Sequence, residues 1–171
     1  MKEFFPGIGQ IRFEGPKTKN PLAFRCYNAE EKVGKKTMAE HLRFSVVYWH
    51  TMKGGGTDPF GPTPVYDRPW DAATDPMARA EDTMRAAFEF TGKLGAPFWA
   101  FHDRDIAPEA DTLAESNQRL DRIVALAKTL QKDFLHVWQK DVLHHGKLEK
   151  ERTSAKTKQM LKMLEGNAVK P

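Results

Sequence analysis

The chain has 171 residues, 40% of them hydrophobic and 29% charged, with a net charge of +4. That is the composition of a folded globular domain rather than a disordered or fibrous chain. No apolar run approaches the roughly 20 residues that cross a bilayer, and the opening MKEFFPGIGQ carries charge and proline where a signal peptide would be continuously apolar.

The basic excess is local. Residues 134–171 hold eight Lys/Arg against four Asp/Glu, leaving 19 of the 27 basic and 19 of the 23 acidic residues before them. A balanced body with a basic, helical tail is the pattern of a solvated end, and a nucleic-acid partner is not expected. The single cysteine, Cys26, has no second thiol for a disulfide or a thiolate metal site. It reads as a packing residue in a protein of a reducing, cytoplasmic compartment.

Taken in chain order, residues 1–35 are rich in Gly, Pro, Asn and charge and predict an extended arm with little regular structure. Thr37 with Glu40 three residues on is a capping-box pattern for a short helix. The β-branched and aromatic run Arg43-Phe-Ser-Val-Val-Tyr-Trp49 predicts a first strand over about 43–49. Gly54-Gly-Gly56 and the proline-rich stretch from Asp58 to Pro69 predict a long loop. Asp75-Pro76 is a helix start, followed at helical spacing by Met77, Ala80, Met84, Ala87, Phe88 and Leu94 and stopped by Gly95.

After Pro97, Phe98-Trp-Ala-Phe101 predicts a short buried strand. Thr112 and Glu115 form a second capping-box pattern, opening a helix to about Lys132 with Leu113, Leu120, Ile123, Val124, Ala127 and Leu130 inward. Strand, helix, strand, helix argues for parallel strands, in either an α/β barrel or an open doubly wound sheet. Beyond Phe134 the chain becomes lysine-rich and is expected to be helical from about Thr153 to Leu164. There Phe134-Leu-His-Val-Trp138 is the one further strand candidate, and it fits equally as an extension of the preceding helix.

Chemistry concentrates at His102-Asp-Arg-Asp105, where the second strand must end: in parallel α/β folds the carboxyl ends of strands carry the active site. Were the strand to continue, residues three apart would face opposite sides. It therefore stops near His102, and the Asp105 carboxylate can turn back to one imidazole nitrogen, making an acid–base pair. The competing reading is a capped surface loop in which Arg104 pairs with Asp103 or Asp105. Tyr48, Trp49, Phe60, Tyr66, Trp70, Phe98, Trp99 and Phe101 are dense around the loop and suit either a sugar pocket or a core. His144 and His145 are adjacent and fall on different helix faces, and His41 and His50 have no partner that spacing nominates. Residues 1–133 offer no convergent ligand cluster beyond 102–105.

Many of these segments also carry a resemblance. Lys19-Asn-Pro-Leu-Ala-Phe24, Gly34-Lys-Lys-Thr-Met-Ala-Glu-His-Leu-Arg-Phe44, Tyr48-Trp-His-Thr51, Asp58-Pro-Phe-Gly61, Arg68-Pro-Trp70, Phe88-Glu-Phe90, Lys93-Leu-Gly95 and Phe101-His-Asp-Arg-Asp-Ile-Ala-Pro-Glu109 with Asp111-Thr-Leu113 are similar, in order, to segments of class II xylose isomerases, over about residues 4–133. That family is a (β/α)8 TIM barrel, usually a homotetramer, that interconverts xylose with xylulose and glucose with fructose.

The resemblance implies a partial barrel: an arm over 1–35, the first two βα units over 36–133, and an unmatched basic tail over 134–171. It implies that His102 opens the sugar ring, that Asp105 orients it, and that Trp49 walls the substrate carbons. Phe60 would project into a neighbouring subunit's active site. It also implies two divalent cations, magnesium, manganese or cobalt, that promote the hydride shift. The family's metal-binding residues and a substrate-binding lysine lie on later strands, and nothing after Asp133 matches them. The chain alone is therefore expected to lack turnover, or else to serve as a non-catalytic module packing on itself or on a full-length isomerase.

Overall fold

A computed structural model describes residues 2–56 and 66–134. The arm ends in a two-stranded antiparallel hairpin, β1 (Lys32–Val33) and β2 (Lys36–Thr37), turning at Gly34 with φ of 64°. The hairpin straddles residue 35. Earlier in the arm, Phe13 and Phe24 form an isolated bridge. Helix α1 (Met38–His41) begins with the expected capping box: Thr37 Oγ1 accepts from the Glu40 amide, and the Thr37 amide donates to Glu40 Oε2 at 2.6 Å.

Strand β3 (Ser45–Val47) is shorter than the stretch 43–49 expected from β-propensity. It stops because Tyr48 takes right-handed helical angles, and Trp49–Lys53 wind into one wide turn of π-helix closed by the Gly54 amide on the Trp49 carbonyl at 2.9 Å. A 3-10 turn, Pro69–Asp71, leads into helix α2 (Pro76–Leu94). Asp75 Oδ2 accepts the Ala78 amide at 2.6 Å at its start, and Gly95 ends it in the left-handed region at φ of 71°. Strand β4 (Phe98–Ala100), helix α3 (Asp103–Ile106) and helix α4 (Leu113–Phe134) complete the described chain.

Strands β3 and β4 pair in parallel, with Ser45, Val46 and Val47 opposite Phe98, Trp99 and Ala100. The β3–α2–β4–α4 order is therefore the alternating parallel arrangement that the periodicity predicts, built on a two-stranded sheet. Among the described residues no closed barrel forms.

Alternation along the strands decides which side is covered. Val46 and Trp99 face the helices, with the Trp99 ring 5.2 Å from Phe88 of α2 and stacked on Phe101 at 4.4 Å. Val47 and Ala100 are exposed on the other side, where the Arg43 guanidinium covers the Phe98 ring at 4.8 Å. Met84, Ala87 and Phe88 of α2 and Leu120, Ile123, Val124, Ala127 and Leu130 of α4 join Tyr48, Met52, Trp70 and Trp99 in one core. An Arg122–Glu81 ion pair at 2.6 Å bridges α2 and α4 at its rim.

Two burial expectations are corrected. Leu113 is 72% exposed because it is the first residue of α4, before the stripe that begins at Ser116 and Leu120 reaches the core. Cys26 is an exposed free thiol, since the arm around it lies on the surface, and it is not a packing residue. The tail, with the Phe134–Trp138 strand candidate, the helix expected over Thr153–Leu164 and His144–His145, lies outside the described residues but for the end of α4.

Candidate active site

His102 stands two residues beyond Ala100, and Trp49 two residues beyond Val47, so both leave the carboxyl ends of neighbouring parallel strands. His102 is the residue just before α3. Its backbone amide donates to Asp105 Oδ2 at 2.8 Å, and the Asp105 amide donates back to the His102 carbonyl at 3.1 Å. That short loop turns the carboxylate onto the ring: His102 Nδ1 lies 2.8 Å from the same Asp105 oxygen. Asp105 is buried while the His102 side chain is 68% exposed. An ionised carboxylate only accepts, so Nδ1 carries the proton and Nε2 is left with its lone pair on the accessible side chain. The histidine–carboxylate contact is thus formed, while the side chains of Asp103 and Arg104, on which the competing arrangement turns, lie outside the described residues.

Around this pair the electrostatics are uneven. Burial pushes the Tyr48 phenol up, and the negative charges of Asp105 and Asp71 push it further in the same direction. Desolvation draws the Lys53 amine down and Arg79 adds to that, while Asp105 and Asp71 oppose them without overcoming them. Tyr48, Lys53, Asp71 and Asp105 therefore share one field behind the exposed imidazole. Within the core, Tyr48 Oη and Trp99 Nε1 have no hydrogen-bond partner among the described residues.

The aromatic set divides. Tyr48, Trp70, Phe98 and Trp99 are buried, whereas Trp49 at 46% and Tyr66 at 60% are exposed. Trp49 meets the His50 ring edge-on at 4.8 Å. His41 Nε2 lies 3.0 Å from the Val33 carbonyl and serves the hairpin. Phe60 lies outside the described residues. No three His, Cys, Asp or Glu side chains among the described residues converge in a group that could hold a metal ion. The site as described therefore does not fit the two cations implied by the resemblance.

Sequence reasoning missed two supports of this region. Arg68 Nη1 donates to the Met52 carbonyl at 2.7 Å, Trp70 Nε1 donates to the same oxygen at 3.1 Å, and Arg68 Nη2 donates to the Gly54 carbonyl. Glu89 holds the arm: its carboxylate accepts the amides of Phe4 at 2.8 Å and Phe5 at 3.0 Å and pairs with Lys93 at 2.7 Å. Apart from the Glu89–Lys93 pair, both supports end on backbone carbonyls or amides, for which spacing carries no signal. The one available cue was the Arg68-Pro-Trp70 cluster at the end of the long loop.

No family model matches the chain. Individual relatives do. A xylose isomerase of Thermoanaerobacterium thermosaccharolyticum is 54% identical over 143 residues, covering 84% of this chain and 31% of that protein. One from Xanthomonas oryzae pv. oryzae is 53% identical over 133 residues, 77% of this chain and 29% of its own length. The xylose isomerase of Arabidopsis thaliana is 54% identical over 130 residues, 76% and 27% respectively. The chain thus spans less than a third of the relatives that it matches. Along most of its own length, this chain is a homologue of the xylose isomerases.

Proposed function

We propose that the chain supplies the ring-opening half of an aldose–ketose isomerase site for xylose, on the first two βα units of a partial TIM barrel. The observation that carries this is the 2.8 Å contact of the buried Asp105 with Nδ1 of the exposed His102 at the end of β4. In the proposed step, Nε2 of His102 takes the proton of the anomeric hydroxyl and returns it to the ring oxygen. The C1–O1 bond becomes a carbonyl as the C1–ring-oxygen bond breaks. Asp105 holds the tautomer and stabilises the imidazolium while the proton is in transit. Trp49 offers an apolar face to the substrate carbons.

The divalent cations of the family would supply Lewis-acid polarisation for the later hydride shift. No described residues fit them, and no step here runs through them. The homotetramer, the place of Phe60 at a neighbour's site and a cytoplasmic location follow from the same family reading. Among the described residues no helix is long and apolar enough to cross a membrane.

Because ring opening needs only the imidazole, it is separable from turnover. Exchange between the α and β anomers of xylose, followed by NMR saturation transfer, is expected to speed up with the purified chain and to fall to the buffer rate with His102→Ala. Xylulose is not expected to form with the chain alone, whether magnesium or manganese is added or withheld. Equal anomer exchange in wild type and variant would sink the assignment. The contiguous core favours a second reading in which the chain is a folded, non-catalytic module that packs on itself or on a full-length isomerase. That reading predicts a defined oligomer with a cooperative melt.

A further inference from the structure

The wide turn Trp49–Lys53 leaves carbonyls at its end without partners inside the turn. Three side-chain donors from 3-10 turn Pro69–Asp71 and the residue before it meet them. The Arg68 fork takes Met52 and Gly54 together, and Trp70 Nε1 adds a second bond to the Met52 oxygen. This clamp is itself held. The Trp70 ring is buried, with Phe4 edge-on at 6.3 Å and Phe5 at 5.6 Å, and the Arg68 guanidinium lies 5.8 Å from the Trp70 ring centroid. One turn back, the Gly54 amide closes on the Trp49 carbonyl, so the clamped end and Trp49 are two ends of a single hydrogen-bonded ring. The Trp49 side chain is half exposed, and the backbone of this turn therefore sets where its indole stands.

We infer that Arg68, assisted by Trp70 Nε1, is the positioning residue for Trp49. By fixing the Met52 and Gly54 carbonyls it aims the Trp49 indole at the mouth of the site beside His102. The inference rests on the reading of Trp49 as the substrate wall, and it extends that reading to a residue that touches no substrate. An arginine is required because one planar fork reaches two carbonyls in fixed geometry, whereas a lysine ammonium keeps the charge as a single point and holds one of them at most.

The test uses the full chain labelled with 5-fluorotryptophan, its four indole signals assigned by Trp→Phe substitution. In Arg68→Lys the Trp49 signal is expected to shift and broaden while the Trp99 signal stays in place and melting remains cooperative. Trp70→Phe, which removes one donor and keeps a ring, is expected to move the Trp49 signal by a smaller amount. An unmoved Trp49 signal in both folded variants overturns the inference. So does a Trp49 shift accompanied by an equal Trp99 shift, which is what a general structural role produces. If Arg68→Lys fails to fold, Trp70→Phe alone decides between these outcomes. Adding xylose separates the two claims: a wild-type Trp49 signal indifferent to sugar refutes the substrate-wall reading, while the sugar-free spectra still judge the clamp.

Discussion

At the scale of single residues, His102 and Asp105 divide stability from chemistry. Asp105 is buried and its oxygen takes both the His102 amide and the imidazole, whereas the His102 side chain stands largely in water. Replacing Asp105 with Ala removes a helix-start acceptor and is expected to destabilise the fold by about 1–2 kcal/mol in urea unfolding. His102→Ala loses an exposed side chain and is expected to stay within about 0.5 kcal/mol of wild type by the same measurement. A larger loss for His102→Ala than for Asp105→Ala would contradict this division. The pair was only half legible in the sequence: i,i+3 spacing at a strand end allows the carboxylate to turn back to the imidazole, and it equally allows a capped loop in which Arg104 takes the carboxylate. Cys26 was not legible, since a small thiol is equally at home in a core or on a surface arm and nothing in its neighbours' pattern decides.

At the scale of elements, helix ends were the most legible feature, because caps are written in side chains. Thr37 with Glu40, Asp75 with Pro76, Thr112 with Glu115, and Gly95 all stand where the pattern put them. Gly95→Ala forces a Cβ into the left-handed region with nothing closer than Gln10 Nε2 at 3.8 Å, so the cost is backbone strain alone. A loss of about 1–2 kcal/mol is expected in thermal or urea melts. Strand β3 was read too long because its aromatic residues favour extended structure, yet Tyr48 is buried by turning into the wide turn.

The arm's attachment was not legible at all. Burial would push the Glu89 carboxyl up, but the Lys93 ammonium and the Phe4 and Phe5 amides outweigh it and hold it below its ordinary value of 4.5. A carboxylate lowered in the folded state contributes stability above its unfolded value and loses it as pH falls through the folded one. The arm is therefore expected to loosen in acid, below pH 4.5, with the Phe4 and Phe5 amide resonances titrating together. Glu89→Gln should erase that titration, and amides that titrate unchanged in the variant would refute the attachment.

For the whole molecule, the helix-to-helix contact carries the core. Met84 of α2 and Ile123 of α4 are completely buried, and truncating either to alanine is expected to cost about 2–5 kcal/mol, read as a lower urea midpoint at unchanged slope. The apolar periodicity of both helices foretold their buried faces but not that the two faces meet, and the alternation of strand and helix foretold parallel pairing. Register was beyond the sequence, because a three-residue strand has too few side chains to specify its own alignment.

The arm reaches the sheet region through a relay of rings, Phe24 on Tyr27 at 5.9 Å and Tyr27 on Phe44 at 5.1 Å, both nearly perpendicular. Cys26 sits inside that relay, exposed and without a second cysteine in the chain. A maleimide-linked spin label added to the unmutated protein would thus enter at a single address, and the sharpness of its resonance lines would report how firmly the arm is seated.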